Sequence, residues 1–141
     1  MAKQTLLYTP DAIRWQVTDF VNADSTNAKG ISGEESPEGE SLVKALLVTN
    51  TDTVDISFDI GFLEDATFYP MFRVVVPANA GGSVTPLDLL RYADMKKITE
   101  LDPNGKEMLS LYDNGYILAA KPVTAVPSGD TVRFFALYKP F

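Results

Sequence analysis

Carboxylates are the side chains with the most chemical potential in this chain of 141 residues, which has nineteen acidic and twelve basic residues, no cysteine and no histidine. Without thiolate or imidazole, zinc and iron–sulfur sites of ordinary ligand type, Cys or Ser–His nucleophilic catalysis and a histidine pH switch are excluded. What remains is acid–base work by paired carboxylates or a hard cation held by oxygens. Asp55 and Asp59 stand four apart in Val54-Asp-Ile-Ser-Phe-Asp-Ile-Gly-Phe62. On a strand they share a face at about 13 Å, wider than the roughly 6.5–9.5 Å of inverting glycosidases. They read as solvent-facing residues that keep a sheet soluble. Asp102-Pro-Asn-Gly-Lys-Glu107 offers three oxygen donors, but lacks the further acidic position and distant bidentate Glu of an EF-hand loop. Turn chemistry accounts for it, with a cation site between loops, using Asp52 or Asp65, as the alternative. Ser41-Leu-Val-Lys44 has Ser-x-x-Lys spacing, yet a strand turns its two ends to opposite faces. Gly81-Gly82 is not followed by the Gly-Lys-Ser/Thr of a phosphate loop. No catalytic residue, cofactor or metal is expected.

The aromatics allow a second kind of site. Trp15, Tyr69, Tyr92, Tyr112 and Tyr116 could stack sugars, against the commoner explanation of core packing and strand propensity. Lys96-Lys97 is too small for a nucleic-acid footprint in a chain of net charge −7. Nucleic acid is therefore not an expected partner. Nor is a membrane: no run approaches ~18 apolar residues, and Met1 to Trp15 lacks the apolar stretch of a signal peptide.

The elements that must position these residues follow a period of two. Val54, Ile56, Phe58, Ile60 and Phe62 alternate with polar residues, the pattern of an antiparallel strand with one buried face. Leu42–Thr49 is a more continuous apolar run, read as a central strand, and Asn50-Thr-Asp-Thr53 reads as the turn of a hairpin joining the two. Phe68–Val76 is a third strand, with Pro70 restricted to an edge, a bulge or the strand start. Ile13–Val21 is the first strand, with Ile13, Trp15 and Val17 on one face. Val84–Leu90 is a further strand, and Leu90–Ile98 the one helical stretch, about two turns long. Turns at Asp102–Gly105, Asp113–Gly115 and Pro127–Asp130 separate strands at Met108–Leu111, Tyr116–Ala120 and Thr131–Tyr138. The class is all-β: an antiparallel β-sandwich or jelly roll of about eight strands with at most one short helix. A single domain over 13–141 is expected, preceded by an N-terminal arm at 1–12.

Charge is unevenly spread. Residues 1–65 carry twelve acids and four bases, and residues 66–141 seven and eight. Glu34, Glu35, Glu38 and Glu40 lie in a Gly- and Pro-bearing stretch at 30–40 that reads as a solvated acidic surface loop, with an interaction loop as the alternative.

Several segments together resemble small β-rich structural proteins of tailed-bacteriophage virions. The opening Thr18-Asp-Phe-Val-Asn-Ala-Asp-Ser-Thr-Asn-Ala-Lys29 is one. The strands over Leu42–Phe62, the Val-Pro-Ala-Asn-Ala-Gly loop leading to Asp88-Leu-Leu90, and the Asp-x-Asn-Gly turn at Asp102–Gly105 are others. Gly115–Leu118 and the aromatic-ended strand Thr131–Phe141 complete the likeness, from which the acidic stretch at Glu34–Glu40 departs. The likeness spans most of the chain as texture, without an invariant motif. It implies a non-enzymatic capsid decoration (cement) protein on the outside of the phage head. Its partner would be the major capsid protein, and it would form a homo-oligomer, with a trimer favoured. It would be assembled in the host cytoplasm and carried on the virion. The partner contacts implied are Glu34, Glu35, Glu38, Glu40, Asn79, Tyr8 and Phe141. The alternatives are a tail or fibre component that binds a host surface or glycan, a non-viral binding module, and a carboxylate- or metal-dependent enzyme.

Overall fold

The computed structural model describes residues 13–32, 41–111 and 116–140. Ten strands occur among them: β1 (Arg14–Phe20), β2 (Lys29–Ser32), β3 (Ser41–Asn50), β4 (Ile56–Glu64), β5 (Thr67–Val76), β6 (Leu87–Asp88), β7 (Glu100–Leu101), β8 (Glu107–Leu111), β9 (Tyr116–Pro122) and β10 (Val132–Pro140). They form two antiparallel sheets. One runs β1-β10-β3-β8-β7 with β6 also paired to β3, and the other runs β2-β9-β4-β5. The expected β-sandwich is therefore present.

Period-two burial builds the core. From one sheet come Val43, Leu46, Val48, Val132, Phe134, Ala136 and Tyr138, and from the other Ile56, Phe58, Ile60, Val74, Val76, Leu118 and Ala120. Phe20, Phe58 and Phe134 meet edge to face with ring centroids 5.0–5.6 Å apart, the preferred aromatic geometry. This triad joins β1 and β10 to β4 across the sheets.

Two connections differ from the sequence reading. Asn50–Thr53 does not close a hairpin: β3 pairs with β10, β6 and β8, while β4 pairs with β5 and β9. The buried Asn50 side chain explains the crossing between sheets. Its Nδ2 donates toward the carbonyls of Val54 (3.1 Å), Val76 (3.4 Å) and Pro77 (3.3 Å), and its Oδ1 accepts the Asp52 amide at 2.9 Å. One side chain thus satisfies an arch of backbone that no ladder serves. The real hairpin is β4–β5, turning at Asp65 with φ 54°, and Val54 lies outside the buried face, exposed. The helix expected over Leu90–Ile98 is instead two 3-10 turns, Leu89–Arg91 and Met95–Lys97. Leu89, Leu90 and Met95 are buried, so packing against the sandwich overrides the short run of helical spacing. Of Val84–Leu90, only Leu87–Asp88 is strand.

Other readings hold. Pro70 lies on the edge strand β5 beside a register shift at Ile60/Gly61. Gly61 is required there, because a Cβ would sit 2.0 Å from the Tyr69 carbonyl oxygen. The Asp102–Gly105 turn joins β7 to β8. The Asp113–Gly115 turn lies outside the described residues. Substituting Asn50→Ala should cost about 2–4 kcal/mol, since several buried backbone groups lose their partner together. A urea titration would show this as a lower midpoint with an unchanged slope.

Candidate functional site

The first strand decides which surface is offered to a partner. Ile13, Trp15 and Val17 do share a face, but they point to solvent, 56%, 55% and 52% exposed, while Gln16 and Phe20 are buried. Core packing, the commoner explanation for the aromatics, is thus corrected for Trp15. Two interactions hold the register. Phe20 is locked in the aromatic triad. Thr18 Oγ1 and Gln16 Nε2 donate to the Gly30 carbonyl of β2, at 3.1 and 3.5 Å, which ties the edge of one sheet to the edge of the other.

The outer face so formed is ordered by the ladders. Trp15 lies opposite Leu137, which lies opposite Ala45, and the next row is Val17, Phe135 and Leu47. Across β1, β10 and β3 neither row contains a charged residue, and the second continues to Asp88 of β6, opposite Leu47 and paired with Arg91 at 3.6 Å. The Trp15 and Phe135 rings meet edge to face at 6.5 Å. The third row brings Asp19 opposite Arg133, where two guanidinium nitrogens meet the two carboxylate oxygens, one of the contacts at 2.7 Å. This bond, opposed by partial burial and aided by the charges of Arg133 and Lys29, holds the Asp19 carboxyl below the usual carboxylate range. The face therefore ends in a charge pair already satisfied within the chain.

Lys29 stops the open edge of β1. Its Nζ donates to the Asp19 carbonyl, pairs with Asp24 at 3.1 Å and lies 4.9 Å from the Phe20 ring centre. Asp24 in turn accepts the Val21 amide, which with Lys29 lowers its pKa. A lysine seated on an edge carbonyl blocks addition of another strand there. An open groove of about 600 Å³, lined in part by Val17, Asp19, Lys29 and Leu63, runs beside it.

The residues singled out for chemistry are separated by the fold. Asp59 pairs with Arg73 at 2.8 Å, and Asp55 accepts the Ala78 amide at 2.8 Å. The Asp102 carboxylate is spent on its own turn, accepting the amides of Asn104 and Lys106 at 2.8 and 2.9 Å. Those bonds lower its pKa, and the loop's other donors are not drawn in. Among the described residues no three acidic side chains gather as a metal site would need, and no helix is long and apolar enough to cross a membrane. Among the expected partner contacts, Asn79 is a half-buried turn residue with φ 60°, whose amide donates to the Asp52 carbonyl at 2.9 Å. It shapes the loop from Pro77 to Ser83. Tyr8, Glu34, Glu35, Glu38, Glu40 and Phe141 lie outside the described residues. Of the aromatic platform, Trp15 and Tyr69 are exposed on different sheets and Tyr92 stacks on Phe72 at 6.3 Å, so these three do not converge, and Tyr112 and the Tyr116 side chain lie outside what the structure describes. The exposure of the Trp15 face was missed because strand alternation alone does not say which face is buried.

Comparison with protein-family models, with curated proteins and with solved structures finds no match to this chain.

Because its pKa is lowered in the folded state, Asp19 contributes stability that is complete above the unfolded carboxyl pKa and lost as pH falls through the folded value. Asp24 and Asp102 act in the same direction. Urea midpoints should therefore fall on going from pH 7 to below about pH 4. Asp19→Asn should lower the midpoint at pH 7 and make that fall shallower.

Proposed function

We propose that the chain is a non-enzymatic assembly protein, a decoration protein that binds the outside of a tailed-phage head and stabilises it. The observation that carries this reading is the uncharged outer face of Trp15, Val17, Leu47, Phe135 and Leu137 on a tied two-sheet frame. Such a surface gains by being covered and has no group placed for bond chemistry. The resemblance read in the sequence adds the virion context: the major capsid protein as partner and the host cytoplasm as the place of assembly. On this reading the loops, including Asn79 and the acidic stretch at Glu34–Glu40, face the shell. The copies also associate with one another, a trimer matching three-fold positions of the lattice. Many weak contacts then sum over the shell.

A second reading is favoured by Trp15 itself. An exposed indole beside an aromatic neighbour also suits a sugar ring, as in a tail or fibre component that binds a host glycan.

The test is cosedimentation of the purified chain with empty heads of the tailed phage that carries its gene. Saturable binding outside the shell, with heads that survive a higher temperature, is the expected result. Heads that bind none of the chain, together with a glycan affinity abolished by Trp15→Ala, would replace this reading by the second.

A further inference from the structure

We infer that the outer face of β1, β10 and β3 is where copies of this chain meet, each presenting the same face toward a shared symmetry axis. This rests on the assembly reading and names the surface that performs it.

Three observations lead to a second copy as the occupant. The first is area. At their observed exposures, Ile13, Trp15 and Val17 leave on the order of 300 Å² of apolar side chain in water, given ~150–250 Å² for a large aromatic. Half-buried Leu47, Phe135 and Leu137 enlarge the patch. Two such faces with their polar rims approach the ~1,000 Å² that a specific contact needs. The association should accordingly be reversible and dependent on concentration.

The second observation is charge. The chain carries −7, so approach of two copies is unfavourable over most of the surface. The rows through Trp15 and Val17 carry no charge on β1, β10 and β3, and the charges that border them are paired within the chain, Asp19 with Arg133 and Asp88 with Arg91. Burying this face around a shared axis leaves those pairs matched within their own chains.

The third is geometry. Lys29 occupies the Asp19 carbonyl on the edge of β1, which stops continuation of the sheet from that edge. On this side of the sandwich the surface left for association is the outer face of β1, β10 and β3.

The experiment is the solution mass by light scattering over a hundredfold dilution series. Wild type should rise from the 15.4 kDa of one chain to two or three times that value. Trp15→Glu and Val17→Glu should remain at one chain mass throughout, with unchanged circular dichroism, a loss of at least tenfold in association. The chain has no cysteine, so Val17→Cys supplies a unique thiol as a second test that does not depend on the charged variants folding. A short bismaleimide should link it to its equivalent in a neighbouring copy. A wild-type mass of one chain at every concentration overturns the inference. So does association that persists in Trp15→Glu, or a Val17→Cys chain that associates but does not link. If the one-chain form still saturates phage heads, the decoration reading survives and only the copy contact falls. If copies associate but bind no heads, the reverse holds.

Discussion

Phe20 sets the arrangement of the first strand, and through it the surface that the molecule offers. Its ring closes the edge-to-face triad with Phe58 and Phe134. Because side chains alternate with a period of two, burying Phe20 also turns Gln16 and Thr18 inward and sends Trp15 and Val17 out. On hydrophobicity alone the opposite register would win, since the face of Ile13, Trp15 and Val17 is the more apolar. It loses because only the observed register places Phe20 in the triad and gives Gln16 and Thr18 the Gly30 carbonyl of the facing sheet. The exposed apolar face is therefore a consequence of core packing at one residue.

Two polar devices support that arrangement. Asn50 satisfies the backbone of the arch that carries the chain from one sheet to the other, in a place where water is excluded and each lost partner costs about 1–3 kcal/mol. Lys29 closes the β1 edge by joining an edge carbonyl, a carboxylate and an aromatic ring. Buried Asn50 fixes topology. Partly exposed Lys29 fixes which kind of contact the edge admits, with its ion pair contributing little to stability by itself.

Much of the fold was legible from alternation and turn residues. Ile56, Phe58 and Ile60 are buried as their spacing requires, Phe72, Val74 and Val76 line the core side of β5, and Pro70 marks an edge beside a bulge. The Asp102 turn was legible because Pro, Asn and Gly have local reasons to be there. What was not legible depends on distant partners. Asn50-Thr-Asp-Thr53 looks the same whether it returns to its own sheet or crosses to the other, and only the Val76 and Pro77 carbonyls, far along the chain, decide it. Likewise Leu90–Ile98 has helical spacing, but Leu89 and Met95 are drawn onto the sandwich separately, which breaks the run into two short turns. The candidate site was legible in its residue types, since Trp15 and Val17 were recognised as one face. Its exposure was not, because Phe20 and the Gly30 carbonyl that determine it carry no local signal.

The proposed function follows from a sandwich with one exposed apolar face, rather than from any reactive group. The most direct measurement is the fluorescence of Trp15, the one tryptophan of the chain, followed from dilute to concentrated solution. The account predicts water-exposed emission, quenched by iodide, in the dilute protein, shifting to shorter wavelength and losing iodide access as copies meet. Emission that stays water-exposed and quenchable at every concentration would contradict the copy contact. Emission already shielded at the lowest concentration, with a mass of one chain, would contradict the strand register on which the whole account is built.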